Sequence, residues 1–143
     1  MLEQVIRDER AAAVVLEAGK GERIVELNGV LEAIESAPRP VVAAVDGEAL
    51  GFGFVLALAC DLAIATEDAV LGLPDIAHGT TPEEVLRRAP DVIGRGWTRQ
   101  LALRRGRRLS GAEAHRLGLI VELHPPEALR GAAVALAREA AGG

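Results

Sequence analysis

The stretch from Pro38 to Asp75, PRPVVAAVDGEALGFGFVLALACDLAIATEDAVLGLPD, decides the fold of this chain. Its first prolines end the preceding helix, because proline lacks an N–H donor and keeps the residue before it out of the α region. Val41 to Val45 is then an apolar run without polar alternation, which is typical of a strand covered on both faces. The stretch therefore predicts a buried strand that leads into a glycine-rich turn.

In that turn, two glycines stand on either side of one residue. Gly51-Phe52-Gly53 precedes Phe54 to Cys60, which is apolar and rich in the helix formers Leu and Ala. A strand, a turn and a helix start together point free backbone N–H groups at one place, where a developing negative charge can be held. The alternative interpretation is that the glycines only allow the helix to pack closely on the strand.

The same stretch resembles the crotonase superfamily, the enoyl-CoA hydratases and isomerases. The residues that match keep the order of the family's pattern: Pro40 to Gly47, Ala49 to Gly51, Gly53, Leu56 to Asp61, Ile64-Ala65 and Leu71 to Asp75. Weaker similarity extends from about Ala11 to Pro125. The resemblance implies an α/β fold, a crotonase-like ββα spiral truncated relative to the family, as one domain over residues 1–143.

The resemblance also implies which backbone group polarises a substrate. Family members hold a thioester carbonyl with two backbone N–H groups, and the second of these falls on Phe52. The segment that carries the first donor has no counterpart, because the chain passes through Gly19-Lys20-Gly21 straight into a helical pattern. By the same resemblance, Leu50, Gly51 and Gly53 are expected to line the substrate site beside Phe52.

Only one of the family's two catalytic carboxylates has an acidic counterpart. Hydratases of this family use two glutamates, and the first aligns with Val55, which is also expected to line the substrate site but carries no proton. The second aligns with Asp75, an acid that is one methylene shorter. Family isomerases keep a single carboxylate there, so Asp75 is the candidate acid/base for moving a proton α to a thioester carbonyl. Asp75 also suits a helix cap, and His78 either assists proton transfer or is simply solvated.

Two functional hypotheses follow. The first is a crotonase enzyme that acts on an acyl or enoyl thioester, linked to coenzyme A or to a carrier protein, by oxyanion-stabilised enolate chemistry of the isomerase or hydratase/dehydratase type. Coenzyme A is then part of the substrate, and no separate cofactor is expected. The alternative is a non-catalytic crotonase-like subunit that binds or stabilises a partner enzyme. Exposed sheet edges and apolar faces favour a homo-oligomer, trimer-based, or a complex with a partner subunit.

Composition excludes several other classes. A net charge of −5 with no Tyr and one Trp argues against a nucleic-acid partner. The longest apolar runs are interrupted by acids, which argues against a membrane span. No His, Cys or Asp residues have metal-ligand spacing, so no metal is expected. The arginines at 87–88 and 104–108 have two interpretations, as contacts for the phosphates of a thioester carrier or as a solvated helix face.

The single Cys60 is predicted to be an inert core thiol without a disulfide. Met1 to Arg10 is charged and does not have the pattern of a signal peptide, so a cytoplasmic location is expected.

Hydrophobic periodicity and turn residues predict an alternation of helices and strands that suits a parallel sheet. The predicted helices are a short amphipathic one through Leu2, Val5 and Ile6, then 22–37, 53–59, 82–88, 95–103, 112–117 and 126–140. The predicted strands are 12–16, 41–45, 62–66, 70–73 and 120–123.

Overall fold

The computed structural model describes residues 2–7, 14–18, 27–37, 40–73, 83–104 and 106–142. The strands are β1 (Leu2–Arg7), β2 (Val14–Ala18), β3 (Val41–Val45), β4 (Glu48–Leu50), β5 (Leu62–Ala65), β6 (Val70–Gly72), β7 (Arg108–Ser110) and β8 (Glu122–Leu123). The helices are α1 (Leu27–Glu35), α2 (Phe52–Ala59), α3 (Glu83–Leu103), α4 (Gly111–Arg116) and α5 (Pro126–Ala140).

The strands form two sheets. The larger has the order β1-β2-β3-β5-β8, in which β2, β3, β5 and β8 run parallel and β1 runs antiparallel to β2. The smaller has the order β4-β6-β7, with β4 and β6 parallel and β7 antiparallel. The α/β class and the parallel core of the sheet are therefore confirmed.

Strand β3 is buried on both faces, as its unbroken apolar run predicts. Ala43 and Val45 belong to the main core beneath α2 and α3. Val42 and Ala44 point the other way and pack with the buried side of α5, including Leu129. One five-residue strand thus contributes to apolar clusters on both of its faces.

Helix α2 is apolar on every side and is enclosed by its neighbours. Phe54 and Leu56 are fully buried, the first in the main core and the second against Ile34 of α1 and Val41 of β3. A helix that is hydrophobic all round is stable only inside a protein. Burial of α2 therefore fixes the position of its first turn.

Three sequence predictions differ from the structure. The helix predicted through Leu2, Val5 and Ile6 is wrong, since these residues lie in β1 and pair with β2. A helix of one or two turns has little stability of its own, whereas pairing with β2 satisfies the backbone. Strands β4 (EAL) and β7 (RLS) were not predicted, because each is short and begins or ends on polar residues, and so lacks the apolar run that marks β6.

Helix α3 spans both helices predicted in its region. Its backbone is interrupted at Gly94, where φ is 84° and ψ is 162°. Both predicted helices are therefore present, but the first continues past residue 88, its predicted end, to the break at Gly94.

Candidate active site

The turn into α2 is held in a conformation that requires glycine. Strand β4 ends at Leu50, and Gly51 has φ 60° and ψ −111°, a combination that a side chain strongly disfavours. The Gly51 N–H donates to the carbonyl oxygen of Gly72 at 2.9 Å. The end of β6 thus fixes the direction in which α2 begins.

The first N–H groups of α2 have no acceptor within the helix. The first helical hydrogen bond runs from the Val55 N–H to the Gly51 carbonyl oxygen at 3.0 Å, so the donors of Phe52, Gly53 and Phe54 precede it. Gly51, as the residue before the helix, supplies no side-chain cap. These donors, reinforced by the helix dipole, form a site that can hold a carbonyl oxygen as negative charge develops on it.

Strands β4 and β6 bring the two halves of the expected site to one sheet edge. They are parallel and in register, with Leu50 opposite Gly72. The carboxyl ends of parallel strands meet at the same edge, so the chain that leaves β6 toward Asp75 begins beside the α2 turn. Asp75 and His78 themselves lie outside the described residues.

The remaining expected site residues differ in exposure. Leu50 is half-buried, and Gly51 and Gly53 are buried. Val55 is buried in the main core beside other apolar side chains. That apolar position offers no group that can accept or give a proton, so two-carboxylate chemistry has no support at α2.

An arginine brace, which the sequence analysis did not identify, supports the β6 side of the turn. The Arg107 guanidinium lies over the Trp97 ring at 4.6 Å and donates to Glu113 Oε2 at 3.0 Å and to the Arg108 carbonyl oxygen. Arg108 is opposite Gly72 in the β6–β7 pair. The brace therefore joins α3, β7 and α4 to the strand whose carbonyl orients Gly51.

One part of this brace could have been predicted from the sequence. Ser110 and Glu113 have capping-box spacing, and both reciprocal bonds form, with Glu113 N–H to Ser110 Oγ at 3.0 Å and Ser110 N–H to Glu113 Oε1 at 3.1 Å. The bond from Arg107, followed by that from Ser110, lowers the pKa of Glu113 below its ordinary value.

The arginine pair at 87–88 is tied to neighbouring acids. Arg87 and Arg88 both bind Glu84, at 2.7 and 2.9 Å, and Arg88 also binds Glu35 of α1. The hydrogen bond from Arg87 is the main cause of a lowered pKa at Glu84. This pair therefore holds α1 and α3 together, and both of its arginines have carboxylate partners.

Cys60 does not have the properties of a nucleophile. Burial, and secondarily the charge of Asp61, raise the pKa of its thiol to about 12, so it stays neutral at physiological pH. The Asp61 carboxylate accepts the Val41 N–H at 2.8 Å, which is a structural role at the start of β3.

Two further observations concern only the residues that the structure describes. Among them, no three or more His, Cys, Asp or Glu side chains gather as metal ligands would. The helices of that same part of the chain include none that is long and apolar enough to cross a membrane.

The sequence matches known proteins over most of its length. A family model described as enoyl-CoA hydratase/isomerase matches residues 17–142. The chain belongs to the enoyl-CoA hydratase/isomerase family. Similarity covers both the α2 turn and the arginine-rich region that follows it.

Two curated relatives of this family member illustrate the extent of the match. It is 44% identical over 105 residues to the human "Enoyl-CoA hydratase domain-containing protein 2, mitochondrial", which covers 73% of this chain and 36% of that protein. It is 40% identical over 106 residues to "Enoyl-CoA isomerase/hydratase fer4" of Mycosarcoma maydis, with 73% and 38% covered. The family member thus spans about a third of the length of these relatives.

Solved structures confirm the crotonase fold class of this family member. ThnE from S. clavuligerus aligns with a TM-score of 0.78 at 27% identity, over 95% of this chain and 70% of that one. An enoyl-CoA hydratase from Bacillus anthracis aligns with a TM-score of 0.72 at 37% identity, over 82% and 45%.

Proposed function

We propose that this family member acts on an acyl or enoyl thioester by oxyanion-stabilised enolate chemistry, of the isomerase or hydratase/dehydratase type. The observation that carries the proposal is the Gly51 turn, which leaves the Phe52 N–H without a helical acceptor at the start of a helix whose residues 53–58 are buried. Coenzyme A or a carrier protein presents the acyl group and is part of the substrate.

The Phe52 N–H donates to the thioester oxygen. Removal of an α proton moves negative charge onto that oxygen, so the hydrogen bond strengthens as the reaction proceeds. One such donor typically contributes about two to three orders of magnitude in rate. Because the Gly72 carbonyl already orients the turn, the donor needs little reorganisation when charge develops.

Asp75 is the proposed base. Its carboxylate takes the proton from the α carbon, the electron pair of that C–H bond moves into the enolate, and the same acid returns the proton. Return to the γ carbon of the dienolate moves the double bond, which one carboxylate can perform alone. The apolar, buried Val55 stands at the first acid position of a two-glutamate hydratase and leaves Asp75 as the single acid, so double-bond isomerisation is the favoured reaction.

The test compares Asp75→Asn with Asp91→Asn, a control at an exposed acid on α3. The substrate is a 3-enoyl-CoA, and the measurement is formation of the conjugated 2-enoyl product. Loss of the base is expected to reduce turnover by about a hundredfold or more, with no change in the control. Equal turnover by wild type and Asp75→Asn would remove Asp75 from the mechanism.

The second candidate function is a non-catalytic subunit that binds or stabilises a partner enzyme. The observation in its favour is Val55, which occupies the first acid position and packs in the core. This function predicts complex formation without thioester turnover. Size-exclusion chromatography with an activity assay on the same fractions separates the two, because an active, monodisperse monomer contradicts the subunit role. The first proposal also includes a trimer-based homo-oligomer, and the elution volume in the same chromatography measures its size.

A further inference from the structure

Positive charge is unevenly distributed in this acidic chain. The net charge is −5, yet no Asp or Glu occurs from residue 92 to residue 112. That interval contains six arginines: Arg95, Arg99, Arg104, Arg105, Arg107 and Arg108. A solvated helix face normally mixes both signs of charge, so an acid-free interval in an acidic protein points to a binding surface.

Part of this interval forms a stripe on the outside of α3. Arg95, Arg99 and Leu103 follow one another at spacings of four residues and are all exposed, and Leu103 is 80% exposed. Eight residues of helix span about 12 Å. The exposed Arg104 follows directly, while Thr98 and Leu101 of the same helix are buried. These four residues, Arg95, Arg99, Leu103 and Arg104, are called the arginine stripe.

The charges of the stripe are not neutralised by the part of the fold that the structure describes. Within it, Arg95 and Arg99 have no carboxylate partner, and Arg104 donates to the side-chain amide oxygen of Gln100 at 2.9 Å. Arg88 and Arg107 are different, because each binds a carboxylate. Unpaired like charges one turn apart gain most from a partner that brings several negative charges in the same spacing.

The stripe is connected to the proposed catalytic turn through the chain and strand β7. Only a short segment separates Arg104 from β7, where Arg108 is opposite Gly72, and the Gly72 carbonyl binds the Gly51 N–H. The chain therefore leads from the end of the stripe to the strand pair whose Gly72 carbonyl holds the α2 turn.

We propose that the arginine stripe docks an acidic helix of a carrier protein that presents the thioester. The inference rests on the proposed function and names its substrate carrier. The spacing of four residues matches the face of a partner helix, and Leu103 supplies an apolar contact at one end of the row of charges. The stripe is about 12 Å long and includes the exposed Leu103. It therefore suits such a helix better than a phosphate group, which is compact and has no apolar surface.

The probe is an acidic bacterial acyl carrier protein, first unacylated and then charged with a 3-enoyl group. Binding is followed by calorimetry and by fluorescence of Trp97, the single tryptophan, which lies between Arg95 and Arg99 in sequence. The variants are Arg95→Gln/Arg99→Gln and Leu103→Gln. The matched control is Arg116→Gln, which removes an exposed arginine from α4.

The double arginine variant is expected to bind the carrier about tenfold more weakly, and Leu103→Gln several-fold more weakly, with no change in the control. Wild-type binding is expected to weaken strongly in about 1 M salt, where the Debye length is about 3 Å. Turnover of the carrier-linked substrate falls in parallel, while turnover of the same acyl group on coenzyme A is unchanged.

Three results would overturn the docking proposal. These are no carrier binding by wild type, equal binding by the double variant, or a matching loss with the coenzyme A substrate, which would make the stripe a phosphate site. Competition by an RNA through the same arginines would replace the carrier with a nucleic acid. Carrier binding through the stripe without any thioester turnover upholds docking and contradicts the proposed enzyme, whereas coenzyme A turnover without carrier binding does the reverse.

Discussion

The apolar segment from β3 to β6 and the acid-free segment of residues 92–112 differ in the kind of group proposed to bind a ligand. The first offers a backbone N–H and the second offers exposed side chains. In the first, the side chains are largely buried and the proposed functional group is a backbone N–H whose direction is set by Gly51. In the second, which contains a helix that is interrupted at Gly94 and strand β7, the proposed functional groups are exposed arginine side chains. The difference teaches that a buried backbone site depends on packing, whereas a surface site depends on which charges the fold leaves unpaired.

The largest difference in the free energy of unfolding is expected when one apolar side chain in each segment is truncated. Phe54→Ala removes a fully buried ring and is expected to lower the free energy of unfolding by about 3–5 kcal/mol. Leu103→Ala, at a position 80% exposed, is expected to change it by no more than about 0.5 kcal/mol. Urea unfolding followed by circular dichroism measures both. Similar losses in the two variants would mean that Leu103 packs against something in solution.

Substitution of one glycine in each segment compares how strongly each depends on its backbone conformation. Gly51→Ala places a side chain at φ 60° and ψ −111° and is expected to cost about 1–3 kcal/mol of stability. It also moves the Phe52 N–H, so thioester turnover should fall by about two to three orders of magnitude. Gly96→Ala is the control, because a Cβ there meets nothing within 4 Å and alanine favours a helix by up to about 1 kcal/mol. Normal turnover by a folded Gly51→Ala protein would exclude the turn as the donor site.

The smallest effect on stability is expected at Glu113, which directly follows the acid-free segment and pairs with Arg107 in it. Glu113→Gln weakens the capping box and the ion pair with Arg107 and is expected to cost about 1 kcal/mol at neutral pH. Because the pKa of Glu113 is lowered from 4.5 in the folded protein, the carboxylate stabilises the fold above that pH. Its contribution is lost as the pH falls through the lower, folded-state pKa.

The difference in unfolding free energy between wild type and Glu113→Gln should therefore narrow as the pH falls below 4.5. Urea titrations at a series of pH values measure it, with Glu139→Gln at the exposed end of α5 as the control. A difference that is constant through this range would assign the loss to altered packing instead of the charge.

Local sequence was sufficient to predict an element where the hydrophobic pattern of one segment identified it. Strand β3, helix α5 and the body of α2 were predicted with their observed limits or within one residue of them. It was insufficient for β1, because Leu2–Arg7 becomes a strand through pairing with β2 rather than through its own periodicity. Strands β4 and β7 exist for the same reason, since each is only three residues long and is defined by its contacts with β6.

The candidate site divides in the same manner. The Gly-Phe-Gly turn and the missing acid at Val55 could be read directly from the chain. The Gly72 carbonyl that holds Gly51, and the arginine brace through Trp97 and Glu113, could not be predicted. Each of these contacts joins groups from different secondary-structure elements.

By itself, the sequence determined the family, the need for glycine at the entrance to α2, and the placement of arginines in an interval without acids. Only the tertiary structure decided which arginines are paired, with Arg88 and Arg107 bound to carboxylates and Arg95 and Arg99 left exposed on α3. The physical reason is the separation along the chain of the groups involved. Backbone preference and charge density are local properties, whereas an ion pair or a sheet register exists only after distant segments have packed together.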